Sequence, residues 1–252
     1  MGRAEYGSLL TRAYDLDKPT APADELTYYR DLVARCGEPA LEVMCGSGRF
    51  LLPLLDSGVD IDGVDASEDM LDACRAKSAG SVDGRLHLQP VQTLALPREY
   101  AVVFCGGGSF GLIVDDNDVG AALAAFRDVL LPGGTLSLEV ETPPVRPAVR
   151  PGAWVGRSWR CPDGSLIVLR HLQGPTDDRV EHALGIYELY RDGALVETEL
   201  NEWVRRFWTA DDIADAVAAA GFADVRVTRA FSETEPSGDD EMLTVRARRP
   251  RR

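Results

Sequence analysis

A loop of small residues separates two apolar segments in the stretch "ALEVMCGSGRFLLPLL". Gly46 and Gly48 stand where a strand pattern changes into a helix pattern. In an open α/β sheet such a loop lies beyond the carboxyl end of a strand, where a ligand can approach the backbone closely. Leu51 occupies the place of the third glycine of a dinucleotide fingerprint, and no Gly-x-x-x-x-Gly-Lys-Ser/Thr loop occurs. The spacing therefore disfavours NAD, FAD and a P-loop.

Two acidic residues accompany the glycine loop. Asp65 ends the next strand pattern, "GVD", 17 residues after Gly48. A carboxylate at that place can accept hydrogen bonds from both hydroxyls of an adenosine ribose. Glu42 lies inside the strand before the loop. Since acids near a ligand favour a cation, these residues predict a positively charged nucleoside that carries no diphosphate.

The surrounding pattern predicts the elements that position these residues. Strand and helix patterns alternate up to Glu141, with Ser67 as one N-cap and with a late helix that Pro132 and two glycines end. This alternation is typical of a doubly wound, mostly parallel, Rossmann-like α/β sheet. The predicted divisions are an N-terminal helical segment (1–37), the core (38–142), an inserted antiparallel β lid (143–208), the rest of the core with an antiparallel last strand (209–248) and a basic tail (249–252).

The segments "LEVMCGSGR" and "GVDASEDML" resemble motifs I and II of the class I S-adenosylmethionine-dependent methyltransferases. The final antiparallel strand pair is similar to that family's sheet. The resemblance implies S-adenosylmethionine as cofactor, with Glu42 at its amino end and Asp65 on its ribose. It also implies that Cys45, Gly46 and Gly48 border the methionine moiety, and that Ala66 and Met70 border the adenine. Met70 fits a plain helix-core residue as well.

Two positions depart from the family pattern. Met44, which we assign to the cofactor site, stands where the family usually has a small residue, often glycine. Pro90 takes the place of an acid that reads the adenine in many members. The backbone N–H of Val91 remains available for that purpose, with Gln92 or Gln89 as the carbonyl acceptor.

The stretch "FCGGGSFGLI" follows the fourth predicted strand. Three successive glycines let the chain pass close to a bound methyl donor at little steric cost; a merely flexible loop is the alternative. We therefore assign Cys105 and Gly106 to the cofactor site. Gly107, Ser109 and Phe110 are candidates for the acceptor pocket.

The lid segment contains all four tryptophans, of which Trp154 and Trp208 are candidate substrate-binding residues. A tryptophan stripe also fits the core of a small domain. The layout resembles small-molecule methyltransferases with an antiparallel lid, including those that act on amino-sugar nucleotides and small amines. In that group an N-terminal tyrosine closes over the donor, which implies this role for Tyr14.

Methyl transfer from a sulfonium needs little acid–base machinery, because positioning and the exclusion of water do most of the work. One base assists when the acceptor is a protonated amine or a hydroxyl. His171 and Glu141 are the candidate catalytic residues, with His182 and Glu202 as alternatives. A lone histidine on a β insert is also often structural.

Composition limits the partners and the compartment. The net charge of −14 disfavours nucleic acid and anionic membranes as partners. The five cysteines are widely spaced, without a Cys-x-x-Cys pair, which argues against disulfides and a metal site and suits a cytoplasmic protein. We expect no secretory signal and no membrane span, and the sequence gives no oligomeric state.

The sequence thus predicts a cytoplasmic S-adenosylmethionine-dependent methyltransferase that acts on a small-molecule acceptor at N, O or C. Two alternatives stay open at this point. One is a different reaction of the same donor, such as intramolecular cyclisation of its aminobutyryl chain. The other is a non-catalytic S-adenosylmethionine-binding module.

Overall fold

The computed structural model describes residues 7–144, 152–177 and 179–251. Within these ranges the helices are α1 (Ser8–Asp17), α2 (Ala23–Cys36), α3 (Leu51–Asp56), α4 (Glu68–Ser78), α5 (Asp116–Val129) and α6 (Ala210–Ala219). The strands are β1 (Ala40–Val43), β2 (Ile61–Asp65), β3 (Leu86–Leu88), β4 (Tyr100–Cys105), β5 (Leu130–Glu141), β6 (Trp154–Arg160), β7 (Leu166–Asp177), β8 (Val180–Arg191), β9 (Ala194–Arg206), β10 (Ala223–Arg229) and β11 (Met242–Arg248).

Seven strands form the core sheet in the order β10-β11-β5-β4-β1-β2-β3. Strands β1 to β5 run parallel, and β11 lies antiparallel between β5 and β10. The chain leaves β1 in one direction to β2 and returns on the other side through β4, so the switch point of the sheet lies at β1 and β4. Ligands of open α/β sheets bind beyond the strand ends at this point. The glycine loop follows β1, and the three-glycine run follows β4.

The central strands are apolar because helices cover both faces of the sheet. Every residue of β1 and β4 is buried, as is typical of interior parallel strands. On one face, α5 and α6 pack Phe126 and Ile213 against the sheet. On the other face, α2 and α3 contribute Tyr29, Leu32 and Leu54. These two layers fix the ends of the strands that carry the candidate site.

Side-chain N-caps begin three of the six helices in the described ranges, namely α4, α5 and α6. The hydroxyl of Ser67 accepts a hydrogen bond from the Met70 N–H, as the predicted N-cap requires. The prediction that the late helix continues to Pro132 is wrong, because α5 ends at Val129 and β5 begins at Leu130. Leu130 is fully buried and already pairs with Tyr100 of β4, so tertiary packing ends the helix before the proline does.

The predicted lid contains a separate antiparallel sheet in the order β6-β7-β8-β9. Helix α1 packs on this sheet and on the core together. Leu9, Leu10 and Ala13 of α1 form one buried cluster with Met70 of α4 and with lid residues such as Leu169. Helix α1 therefore joins the lid to the switch point of the core sheet.

None of the helices in the described ranges is long and apolar enough to cross a membrane.

Candidate active site

The glycine loop turns sharply out of β1 through left-handed backbone conformations. Gly46 and Gly48 have φ angles of 54° and 83°. A Cβ atom on Gly48 would lie 2.6 Å from the Cys74 Sγ atom, so a side chain there would clash with α4. Met44 also has a positive φ, 57°. A left-handed conformation costs a residue with a side chain roughly 1–2 kcal/mol, which explains why a glycine is the usual residue at this position.

The Asp65 carboxylate is clamped at the end of β2. Its Oδ2 accepts a hydrogen bond from Gly46 N (2.8 Å), and its Oδ1 accepts one from Ser67 N (2.9 Å). Burial raises the pKa of Asp65, and these backbone N–H groups act in the opposite direction. An ionised carboxylate has about four acceptor sites, and the Ala66 N–H also bonds to it, so at least one site remains for a ribose hydroxyl. The geometry suits the role predicted for Asp65.

Glu42 and Arg49 each have a buried polar atom without a hydrogen-bond partner in the described part of the chain, beside the glycine loop. Glu42 is 2% exposed, and its Oε2 atom has no hydrogen-bond partner among the described residues. Burial raises the pKa of Glu42 well above its usual value, although the nearby Arg49 opposes the shift. The Nε atom of Arg49 is also buried without a partner in the described part of the chain, while its Nη2 atom lies 3.0 Å from Glu25.

This arrangement fits S-adenosylmethionine. A buried carboxylate oxygen can accept from the ammonium of an amino acid, and a buried guanidinium N–H can donate to its carboxylate. Asp65 on the neighbouring strand is available for the ribose. The sequence reasoning missed Arg49, although its position directly after "CGSG" was the available signal.

Tyr14 lies on α1 beside this cluster. It is half-buried, and its hydroxyl lies near the Arg49 side chain. Burial raises the pKa of Tyr14. Helix α1 is held against the glycine loop by Asp15, which accepts hydrogen bonds from Ser47 Oγ and from Lys77 Nζ (2.8 Å). Tyr14 is thus positioned to cover a ligand in the loop.

The residues assigned to the adenine end have different environments. Ala66 is exposed at the end of β2, whereas Met70 is 3% exposed and packs under α1. Val91 is buried and Gln92 is partly exposed in a single 3₁₀ turn. Both ends of the Gln89 amide are bonded to the backbone of Ala95, at 3.0 and 2.8 Å. Of the two glutamines considered as acceptor, the structure therefore leaves Gln92 available.

The run of glycines after β4 closes the other side of the switch point. Cys105 ends β4 fully buried, with its Sγ 3.9 Å from the Met44 sulfur. A Cβ on Gly106 would lie 2.8 Å from the Phe50 ring, so this position requires glycine. Gly107 and Gly108 have φ angles of 65° and 74° and form an exposed to half-buried turn.

Three aromatic residues predicted to bind the acceptor are either buried in the core or exposed on the lid. Phe110 and Trp208 are 0% and 1% exposed, and their rings pack 5.8 Å apart in the core. Trp154 pairs with Leu172, on the face of the lid opposite to buried Leu169, and is 51% exposed. Large aromatic side chains gain most from burial, so two of them fill the core. Gly107 is exposed and Ser109 is partly exposed, directly after β4.

The two candidate bases lie on facing surfaces of the core and the lid. Glu141 packs against the Gly108 turn and pairs with Arg205 at 2.5 Å, and Arg205 also binds Glu181 at 2.6 Å. The His171 ring lies 5.0 Å from the Trp203 ring, and its buried Nε2 atom has no hydrogen-bond partner among the described residues. Burial lowers the pKa of His171, which favours the neutral imidazole.

The alternative bases His182 and Glu202 do not face the core. In the lid register they pair with Val204 and Leu184. Both are exposed on the side of the sheet opposite to buried Ala183. They line a cavity of about 290 Å³ on that outer side together with Leu172.

A comparison with protein families decides what kind of domain this geometry belongs to. Residues 40–134 match a family model described as a methyltransferase domain. This matched range is a methyltransferase domain, in agreement with the predicted class I S-adenosylmethionine-dependent family. S-adenosylmethionine is the methyl donor of this class, as predicted from the sequence. The matched range begins with β1 and ends just after the start of β5, so it includes the glycine loop, Asp65 and the three-glycine run.

The methyltransferase domain has relatives among characterised proteins. One is the dTDP-3-amino-3,6-dideoxy-alpha-D-glucopyranose N,N-dimethyltransferase of Streptomyces fradiae, which is 30% identical over 146 residues. The match covers 54% of this chain and 55% of the relative, so the chain spans about half the length of that protein.

Solved structures share the whole fold at lower sequence identity. The sugar N-methyltransferase KedS8 from Streptoalloteichus has a TM-score of 0.75 at 19% identity, over 95% of this chain and 92% of that chain. The amino pentose methyltransferase CalS10 from Micromonospora echinaspora, solved with bound S-adenosylmethionine, has a TM-score of 0.70 at 20% identity, over 98% and 100% of the two chains. These likenesses confirm the predicted fold class.

Proposed function

We propose that this chain is an S-adenosylmethionine-dependent N-methyltransferase whose acceptor is the amino group of a nucleotide-linked amino sugar. The observation that carries the donor half is the pair of buried, unsatisfied groups on Glu42 and Arg49 beside the glycine loop. The acceptor half is supported by the named activity of the Streptomyces fradiae relative and by the lid that faces the crevice.

Donor binding uses residues of β1, of the glycine loop after it and of the end of β2. Glu42 accepts from the ammonium, and Arg49 donates to the carboxylate. Asp65 accepts from the ribose hydroxyls while Gly46 and Ser67 hold it in place. Because all of these groups are fixed by backbone contacts or by burial, they need little reorganisation when the donor binds.

Bound S-adenosylmethionine supplies an activated methyl group on a sulfonium, open to in-line displacement. The chain's own contribution is to position the acceptor and to exclude water. Helix α1 closes one side, because Glu199 of the lid accepts hydrogen bonds from Leu9 N (2.8 Å) and Leu10 N (3.4 Å). Arg157 of the lid pairs with Asp17 at the other end of the helix.

Glu141 is the group we assign to the acceptor nitrogen. An amine reacts through its lone pair, so it must be present in neutral form. Glu141 lies at the Gly108 turn with a side chain that is 29% exposed, where it can accept a hydrogen bond from the amine and orient its lone pair. His171, with a neutral imidazole on the lid, is the second candidate.

The net charge and the cysteines of the chain bear on its partners and its location. The net charge of −14 supports a small-molecule acceptor and disfavours nucleic acid or an anionic membrane. All five cysteines are free, and four of them are buried. Unpaired thiols support a reducing cytoplasmic location.

Product analysis tests the proposal. The purified chain is incubated with S-adenosylmethionine and dTDP-3-amino-3,6-dideoxyglucose, and the products are separated by mass spectrometry. We expect S-adenosylhomocysteine and a sugar nucleotide with one or two added methyl groups on nitrogen. Methylthioadenosine would indicate cyclisation of the donor instead. Tight donor binding without turnover over a panel of amino sugars would indicate a binding module.

A further inference from the structure

A buried carboxylate in the middle of β5 connects a helix to the glycine run after β4. Glu139 is 0% exposed. Its Oε2 atom accepts a hydrogen bond from Gly107 N at 2.6 Å, and its Oε1 atom accepts one from the Tyr29 hydroxyl. Carboxylates are almost never fully buried unless they are paired, and here the partners are one hydroxyl and one backbone N–H. Neither the sequence motifs nor the donor contacts described above include this residue.

Tyr29 holds the other end of this connection. It lies on α2, is fully buried, and stacks on Phe104 of β4 with ring centroids 4.2 Å apart. Its ring also meets Phe50 edge-on at 5.3 Å. The hydroxyl is therefore rigidly placed, and it fixes one oxygen of Glu139 so that the other oxygen points to Gly107.

The turn held by Glu139 touches the donor site directly. The Phe50 ring blocks any side chain on Gly106, and the Arg49 guanidinium lies 3.4 Å from where a Cβ of Gly107 would stand. On its outer side, Gly108 contacts the Glu141 side chain. Two successive left-handed glycines are intrinsically mobile, so a fixed partner for the Gly107 N–H decides where this turn sits.

We propose that Glu139 and Tyr29 are positioning residues that hold the Gly106–Gly108 turn against the methyl-donor site. The proposal rests on the proposed function, because it takes the glycine loop and Arg49 as part of the donor site. Neither residue contacts the donor or the acceptor. Both act through the backbone of Gly107, whose hydrogen bond is charge-assisted when Glu139 is ionised.

This relay of hydrogen bonds, from Tyr29 through Glu139 to Gly107, has a pH dependence that a purely structural contact would lack. Burial raises the pKa of Glu139 to about 8, although the hydrogen bonds from Tyr29 and Gly107 act against the shift. Donor binding should therefore tighten as the pH rises through about 8, because the ionised carboxylate holds the turn more strongly. The titratable and charged groups near Glu139 are Tyr28, Tyr29 and Glu25 of α2, Glu42 of β1, Cys105 of β4 and Arg49 of the glycine loop.

The test is calorimetric titration with S-adenosylhomocysteine between about pH 6 and pH 9.5. In the wild type we expect a several-fold tightening with an inflection near pH 8. Glu139→Gln should remove the inflection. Tyr29→Phe keeps the ring but deletes a hydrogen bond that lowers the pKa of Glu139, so it should move the inflection to higher pH. Tyr28→Phe is the matched control. It removes a neighbouring hydroxyl that lies against Ser137, and it should leave the inflection in place.

A second measurement needs no ligand. Between about 4.5 and about 8, folded Glu139 keeps a proton that the unfolded chain has lost, so the free energy of unfolding falls as the pH rises. Thermal unfolding should therefore show Glu139→Gln gaining stability relative to wild type between pH 6 and pH 9. An unchanged inflection in Glu139→Gln, or in Tyr29→Phe, would overturn the relay. Ligand binding and the inflections as described, without methylation of the amino sugar, would contradict only the proposed acceptor.

Discussion

Asp65→Asn offers a sharp test of the donor site. The substitution keeps the shape of the side chain but replaces one acceptor oxygen by an NH₂ group. Gly46 N and Ser67 N each donate to a different Asp65 oxygen. The NH₂ group of the new amide must therefore face one of these two N–H groups, and that hydrogen bond is lost. The same change removes the negative charge that we assign to the ribose hydroxyls.

The expected losses of donor affinity and of stability in Asp65→Asn follow from these contacts. Hydrogen bonds to charged groups contribute about 1.5–3 kcal/mol each. Loss of one such bond to the ribose weakens donor binding by roughly 10- to 150-fold, at about 1.36 kcal/mol per factor of ten. The broken backbone contact adds a destabilisation of about 1 kcal/mol, or a melting temperature lower by about 2–4 °C for a chain of this size.

The assay is isothermal titration with S-adenosylhomocysteine, with thermal unfolding measured on the same samples. Asp72→Asn is the matched control, because Asp72 lies on α4 in an exposed i,i+3 pair with Arg75. Exposed ion pairs contribute little, so we expect the control to bind as the wild type does. Affinity that is unchanged in Asp65→Asn would refute the role of Asp65 as ribose ligand.

Three further predictions follow from the site. Arg49→Gln should weaken binding of S-adenosylmethionine at least about tenfold while leaving adenosine affinity unchanged in competition titrations, and equal losses for both ligands would contradict carboxylate recognition. Glu141→Gln should lower kcat for the amino sugar more than it changes donor affinity; a steady-state rate equal to that of the wild type would exclude Glu141 from the reaction. Glu199→Gln removes the charge at the start of α1, and stopped-flow measurement should show faster donor release, whereas unchanged release would separate α1 from the closing of the site.

The parts of the candidate site that could be predicted are those set by short-range features of the chain, such as turns, strand ends and helix caps. Gly46, Gly48 and Asp65 could be assigned from the sequence because a tight turn, its φ angles and the residue at the next strand end follow one another along the chain. The Ser67 cap is local in the same way. The alternation of strands and helices predicted the mostly parallel core sheet, and the turn signals predicted the four strands of the lid.

Glu139, which sequence reasoning missed, depends on contacts between distant segments. Glu139 meets Tyr29 and Gly107 across 110 and 32 positions of the chain, and periodicity in β5 carries no sign of that contact. The placement of the aromatic residues also depends on more than local sequence. Phe110 and Trp154 are both aromatic residues near turns, but only the strand register and the packing decide that one is buried and the other faces outward.

The most direct test of the central claim is a parallel calorimetric titration of the purified chain with S-adenosylmethionine and with NAD. The account predicts one saturable site for S-adenosylmethionine, weakened by Asp65→Asn and by Arg49→Gln, and no binding of NAD. Retention of NAD, or of neither compound, would contradict a site built for an adenosyl sulfonium.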